Sequence, residues 1–283
     1  MTAGMHLPQA GPAASGEALR RAAELAESAG FADVWVSDHL VVPDGVPYPP
    51  SPYVFEPLAV MSWVAAATSR VRVGTTVLVL PMRNPIVMGK SLATIDQLSG
   101  GRVILGAAAG WLEAEFNALG VPFDERGPRT DEAIEIMRRM WTEDRITAEF
   151  PIHGARFESI RAKPQPVGHL PIWIGGHAKP ALDRAVRVGD CWHGAFQKIE
   201  DARATVAYLR ERRPEPEFVI SMRTRWDPQI DDPDQILAQL EAYREAGIGH
   251  VVSEPAQRTL DGYLRSIDSL AELLVRGGAS MFR

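Results

Sequence analysis

Apolar and polar positions along this chain switch repeatedly between two periods. Short apolar runs, rich in β-branched and aromatic residues, read as buried strands. Each is followed by a longer segment whose apolar residues recur at helical spacing. Met5-His6-Leu7 is a weak first strand, and Glu17 to Ala29 is a helix behind Ser15, stopped by Gly30. Val34-Trp35-Val36 is a second strand, followed by a helix from Glu56 to Thr68 with Leu58, Met61 and Ala65 on one face. Val71 to Leu80 is a third, and Asn84-Pro85 caps a helix that turns Met88, Leu92 and Ile95 inward and closes at Ser99-Gly100-Gly101. Val103 to Leu105 opens a fourth strand, and a helix over Pro128 to Trp141 aligns Ile134, Met137 and Trp141.

Residues 146–169 interrupt the alternation and read as a hairpin-like insertion with a Pro-rich exit. The alternation resumes with strand Ile172-Trp173-Ile174, helix Lys179 to Val188 and its stop Gly189, then strand Cys191-Trp192-His193 and helix Asp201 to Arg212. Phe218 to Met222 precedes a helix from Pro233 to Ala246, and Val251-Val252 precedes one from Thr259 to Val275. Strands alternating with helices imply parallel strands joined by right-handed crossovers. Eight such units over 1–283 point to an α/β chain folded as a single (β/α)8 TIM barrel with an insertion after the fourth helix. A doubly wound open sheet is the competing arrangement, but no linker divides the chain.

Composition narrows the function classes. The chain is 46% hydrophobic with a net charge of -6, so a basic face for nucleic acid or anionic lipid is not expected. No apolar stretch approaches the roughly 20 residues that span a bilayer. The lone Cys191 excludes an intramolecular disulfide framework and reads as a small buried strand residue in a cytoplasmic protein. No metal-ligand set stands out.

Candidate chemistry sits where the strands end, which in a barrel is where active sites are built. Asp38-His39 follows the second strand: the carboxylate can accept a hydrogen bond from a ligand and the imidazole can transfer a proton, or the pair can tether the loop. After the third strand, Pro81-Met82-Arg83 must turn the chain into a helix, and the strand itself can wall off a flat ring. Gly106, Ala107, Ala108, Ala109 and Gly110 are all small, which suits either a ligand lying against backbone or close packing. Gly175-Gly176 precedes a helix start able to bind phosphate, with His177 or Lys179 adding positive charge. Glu113, Glu115, Asp124 and Glu125 follow the fourth strand, with nothing in the sequence to mark any as an acid catalyst.

Four segments, in order, resemble the luciferase-like monooxygenase superfamily, and within it the branch that uses coenzyme F420. They are AESAGFADVWVSDH, VGTTVLVLPMRNPIVMGKSLATIDQLSGGRVILGAAAGW, EFNALGVPFDERGPRTDEAIEIMRRMW and PIWIGGHAKPALDRAVRVGDCW, spanning most of residues 23–192. The resemblance implies that Asp38 hydrogen-bonds the polar edge of the deazaflavin and that His39 faces the substrate as proton donor or acceptor. Thr76-Val77 stands where the family has a non-proline cis peptide behind the ring. Gly106 to Gly110 would line the ribityl and phosphate side, and Gly175, Gly176 and His177 would hold the phosphate. The insertion matches a variable region that often covers the substrate pocket. Sugar-phosphate dehydrogenases of this branch carry a glutamate at the position of Trp111 and a tryptophan at that of Pro43. Trp111 therefore implies an apolar or aromatic substrate wall. The expected activity is hydride transfer between deazaflavin C5 and a small organic substrate, in a homodimer. An FMN-dependent monooxygenase using dioxygen and a non-catalytic ligand-binding barrel are the alternatives.

Overall fold

The computed structural model describes residues 1–46 and 48–281. The strands are β1 (Thr2–His6), β2 (Asp33–Val36), β3 (Arg72–Thr75), β4 (Leu78–Val79), β5 (Val103–Ala108), β6 (Ile146–Phe150), β7 (Ala155–Ile160), β8 (Ile172–Gly175), β9 (Cys191–Ala195), β10 (Val219–Thr224) and β11 (His250–Ser253). The helices are α1 (Gly16–Ala29), α2 (Pro57–Ala67), α3 (Pro85–Ser99), α4 (Glu113–Leu119), α5 (Arg126–Thr142), α6 (Lys179–Val188), α7 (Ile199–Arg212), α8 (Pro233–Glu245) and α9 (Leu260–Arg276). All strands but β6 and β7 join one parallel sheet. It closes on itself: β1 pairs β11, and β5 pairs both β3 (Val73 with Val103) and β4 (Leu78 with Ala107). Because β3 and β4 are two pieces of one position, the sheet is an eight-position (β/α)8 barrel, as the alternation of periods predicts.

The punctuation behaves as read. Ser15 Oγ accepts from Ala18 N–H at 3.0 Å, and Gly30 ends α1 in the left-handed region. Asn84 Oδ1 accepts from the Ile86 and Val87 N–H groups, with Pro85 as the first helical residue. One reading needs correction. The third run is not one strand: it breaks at the Thr76-Val77 peptide, which is cis, and ends in a 3-10 turn over Leu80–Met82. Between β5 and α5 the chain also forms α4, to which the sequence reading assigns no element. The insertion is the antiparallel pair β6–β7, seated on α5. There Phe150 and Phe157 meet edge to face at 5.2 Å, and Glu132 accepts from the Ile152 and His153 N–H groups. Among the described residues, no helix is long and apolar enough to cross a membrane.

Candidate active site

A cavity of about 740 Å3 opens at the carboxyl ends of the barrel strands, within the roughly 300–1,000 Å3 of small-molecule sites. His39 lies on its wall, buried, with the rings of Tyr48 and Trp111 approaching edge-on at 5.9 and 6.4 Å. Behind it stands Glu115, in the first turn of α4. One Glu115 oxygen lies 3.0 Å from His39 Nδ1, and the other accepts the Leu40 N–H at 2.8 Å. A carboxylate oxygen accepts, so Nδ1 carries the proton and Nε2 of the neutral ring is left as a base. The sequence contains this partner only as one of four carboxylates, since 76 positions separate the pair and only the docking of α4 joins them. Trp111 is 56% exposed at the cavity, so its ring is available to a ligand.

Asp38 is held by partners within the chain. Its side chain is wholly enclosed. Oδ1 accepts from Arg83 Nη2 at 2.7 Å, and Oδ2 accepts from the Val79 N–H at 2.9 Å and Arg83 Nε at 3.2 Å. Arg83 also pairs with Glu56 at 2.8 Å. Burial pushes the Asp38 carboxyl up, opposed by Arg83 and the Val79 amide. The carboxylate thus tethers the turn after β4, and Asp38 lies at the cavity wall.

Thr76 and Val77 line the cavity. Thr76 is fixed at every polar atom. Its N–H donates to Val36 O at 2.7 Å, its carbonyl accepts from Arg223 Nη1 at 2.7 Å, and its hydroxyl lies 2.7 Å from His193 Nε2. The small-residue run divides. Ala108, Ala109 and Gly110 line the cavity, whereas Gly106 and Ala107 sit inside the wall. A Cβ at Gly106 would fall 1.7 Å from Thr75 O, so packing is what demands glycine there. Gly110 has φ 83 and its Cβ would fall 2.5 Å from Val79, so both conformation and space require glycine before α4.

Gly175 and Gly176 line the cavity with His177. Gly176 has φ 117, and this turn delivers the chain into α6. Among the described residues, the N–H groups of His177 and Ala178 meet no acceptor, leaving donors free for an anion. The expected positive charge does not come from His177 or Lys179. His177 Nε2 accepts the Ala195 N–H at 3.1 Å, and burial lowers its pKa; Lys179 pairs with Asp183 at 2.6 Å. The cations are Arg126 and Arg225. Both line the cavity, and among the described residues neither has a carboxylate within 4.0 Å. They stack on Phe123 and Phe196 at 4.0 and 4.4 Å respectively. Arg184, also at the wall, is neutralised by Asp131 at 2.8 Å. None of residues 146–169 lines the cavity, so the insertion does not cover it.

The donors, the small-residue wall and the uncompensated guanidiniums fit a phosphate-bearing ring cofactor. Residues 2–262 match the family model described as luciferase-like monooxygenase. The FMNH(2)-dependent dimethylsulfone monooxygenase of Pseudomonas fluorescens (strain Pf0-1) is 33% identical over 196 residues, 68% of this chain and 52% of that protein. The F420-dependent glucose-6-phosphate dehydrogenase of Kineococcus radiotolerans is 37% identical over 173 residues, 58% of this chain and 48% of that protein. The chain thus spans about half the length of each of these curated relatives. The crystal structure of monooxygenase RslO1 from Streptomyces bottropensis superposes with a TM-score of 0.83 at 22% identity, covering 99% of this chain and 100% of that one.

Proposed function

We propose, from the premise that the chain belongs to the luciferase-like monooxygenase family, that it is an F420-dependent oxidoreductase acting on a small, largely apolar substrate. The observation that carries this reading is that Arg126 and Arg225, without a carboxylate partner among the described residues, line the same cavity as the His177 and Ala178 N–H groups, which meet no acceptor among those residues. Coenzyme F420 carries a phosphodiester and a carboxylate-bearing tail, so it offers more anionic groups to these cations than FMN does. Thr76 and Val77 would back the ring, and Ala108 to Gly110 would lie along the ribityl chain. When bound, the cofactor supplies hydride chemistry at ring carbon C5. The chain's own residues bind, orient and handle the proton. Trp111 and Tyr48 present aromatic surface to the substrate, and His39, oriented by Glu115, takes or gives a proton through Nε2.

The 33% identity to an FMNH(2)-dependent enzyme supports FMN as the second reading. One experiment separates the two. Purified cofactor-free protein is titrated with F420 and with FMN, followed by ligand fluorescence. F420 is expected to bind with Kd of tens of micromolar or tighter and at least about tenfold better than FMN, a gap of about 1.4 kcal/mol. The reverse order transfers the assignment to FMN. Failure of both to bind removes the cofactor reading altogether.

A further inference from the structure

A file of hydrogen-bonded polar groups runs through the barrel interior and ends at Thr76. Thr76 Oγ1 lies 2.7 Å from His193 Nε2, and His193 Nδ1 lies 2.9 Å from Ser221 Oγ. Ser221 Oγ is 2.8 Å from His250 Nδ1, and His250 Nε2 is 3.0 Å from Asp33 Oδ1. All five residues are buried. Asp33 opens β2 and its other oxygen accepts from Arg72, which opens β3, so the file spans from the amino ends of the strands to the cavity. Aromatic rings sheathe it. Trp35 stacks on His193 at 5.3 Å and donates its indole N–H to Asp33, and Trp173 meets His250 edge-on at 5.0 Å. The fold leaves room for it: a Cβ at Gly4 would fall 2.0 Å from Asp33 Oδ1, and one at Gly74 2.6 Å from Trp35.

The donor and acceptor order of such a file has two self-consistent settings. With His250 neutral and its Nε2–H on Asp33, Ser221 donates to His250 Nδ1. His193 then donates Nδ1–H to Ser221, and the Thr76 hydroxyl donates to His193 Nε2. The Thr76 oxygen is left to accept from the cavity. With one more proton, His250 donates from both nitrogens, Ser221 donates to His193 Nδ1, and His193 donates Nε2–H to Thr76. The Thr76 hydroxyl hydrogen then faces the cavity. The two settings differ by four short hops and no movement of heavy atoms.

We propose that Thr76, His193, Ser221, His250 and Asp33 form a proton relay, which accepts a proton from a ligand atom at Thr76 Oγ1 and holds it as a His250 imidazolium beside the Asp33 carboxylate. Each hop breaks one O–H or N–H bond as the next forms, and reversing the hops returns the proton to the cavity. The use of the relay in turnover rests on the cavity being a redox-cofactor site, whereas the relay itself does not. The groups facing the file agree with this. Burial, His250 and Arg223 hold the His193 pKa down to about 3, so His193 passes a proton without keeping it. Asp33, despite the raising effect of burial, is held well below the usual carboxylate range by His250 and Arg72. Around them lie Arg223 on β10 paired with Glu254, His6 on β1, and Cys191 on β9, whose thiol burial pushes up.

The test is imidazole 15N NMR of cofactor-free protein between about pH 9 and about pH 5, the range in which histidine changes charge. As His250 takes its second proton, His193 is expected to move its single proton from Nδ1 to Nε2 with the same midpoint. In Ser221→Ala the coupling is lost, and His193 keeps one tautomer whatever His250 does. A wild-type His193 that keeps one tautomer throughout overturns the relay, as does a Ser221→Ala protein that switches like wild type. The wild-type titration decides alone if the variant does not fold. Since no cofactor is present, its outcome is independent of whether F420 or FMN binds.

Discussion

Glu115 accepts from the backbone of Leu40 and from His39 in a buried corner, so its charge and its shape do separable jobs. A glutamine there keeps the shape and one carbonyl acceptor. If that carbonyl keeps the Leu40 N–H, the amide NH2 faces His39 Nδ1 and can only donate. His39 must then place its proton on Nε2, which removes the base from the cavity side. We predict that Glu115→Gln lowers kcat by about 10²-fold in any reaction that needs His39 as base, within the range for losing general acid–base catalysis. KM should change little and far-UV circular dichroism not at all. A pH–rate profile checks the cause: the limb assigned to His39 should disappear or move, whereas a merely structural role for Glu115 would lower the whole profile uniformly.

At the scale of elements, β3, β4 and β5 build one wall of the site, and Gly106 is where β3 and β5 touch. Thr75 Oγ1 donates to Gly106 O at 2.7 Å, and the Thr75 carbonyl fills the space a Cβ would need. Gly106→Ala must push β3 from β5, so we predict a loss of about 3 kcal/mol or no folded protein, the upper range for overpacking a core. Gly16, the first residue of α1, has nothing within 4 Å of its Cβ position. Gly16→Ala should be neutral or stabilise by up to about 1 kcal/mol. Urea midpoints of the two variants check both. The same contrast explains what was legible in the sequence. Caps such as Ser15 and Asn84 act within a few residues, so helix ends and the barrel rhythm could be read directly. The run of small residues at 106–110 could be seen, but not how it divides: which members face the cavity depends on register against β3 and β4. Asp38 was visible as a candidate but its partner was not, because Arg83 reaches it only after the chain has turned. Tyr48, His193, Arg223 and Arg225 carried no local signal, since they join the site from the ends of three strands, β2, β9 and β10, far apart in sequence.

For the molecule as a whole, burying imidazoles couples stability to pH. His6 lies inside the barrel with Nε2 2.9 Å from Ser37 Oγ, and burial together with Arg223 lowers its pKa to about 4 from the usual 6.5. The sign follows from which state binds the proton. As pH falls below about 6.5 the unfolded chain protonates this residue while the folded chain leaves it neutral, so stability is full above that pH and is lost on the way down to about 4. Each pH unit in that window costs about 1.4 kcal/mol per such histidine. His193 acts in the same direction to lower pH still, so the wild-type curve alone sums several groups. The difference between wild type and His6→Gln isolates one, because glutamine keeps a donor and an acceptor for Ser37 but cannot titrate. Urea unfolding at about pH 7.5, 6, 5 and 4.5 should show the two curves parallel above about pH 6.5. Below it, wild type should fall away from the variant by about 2–3 kcal/mol in total. Curves that stay parallel to the lowest pH would mean that the folded protein takes up this proton as readily as the unfolded chain, and that His6 is not held neutral by the barrel.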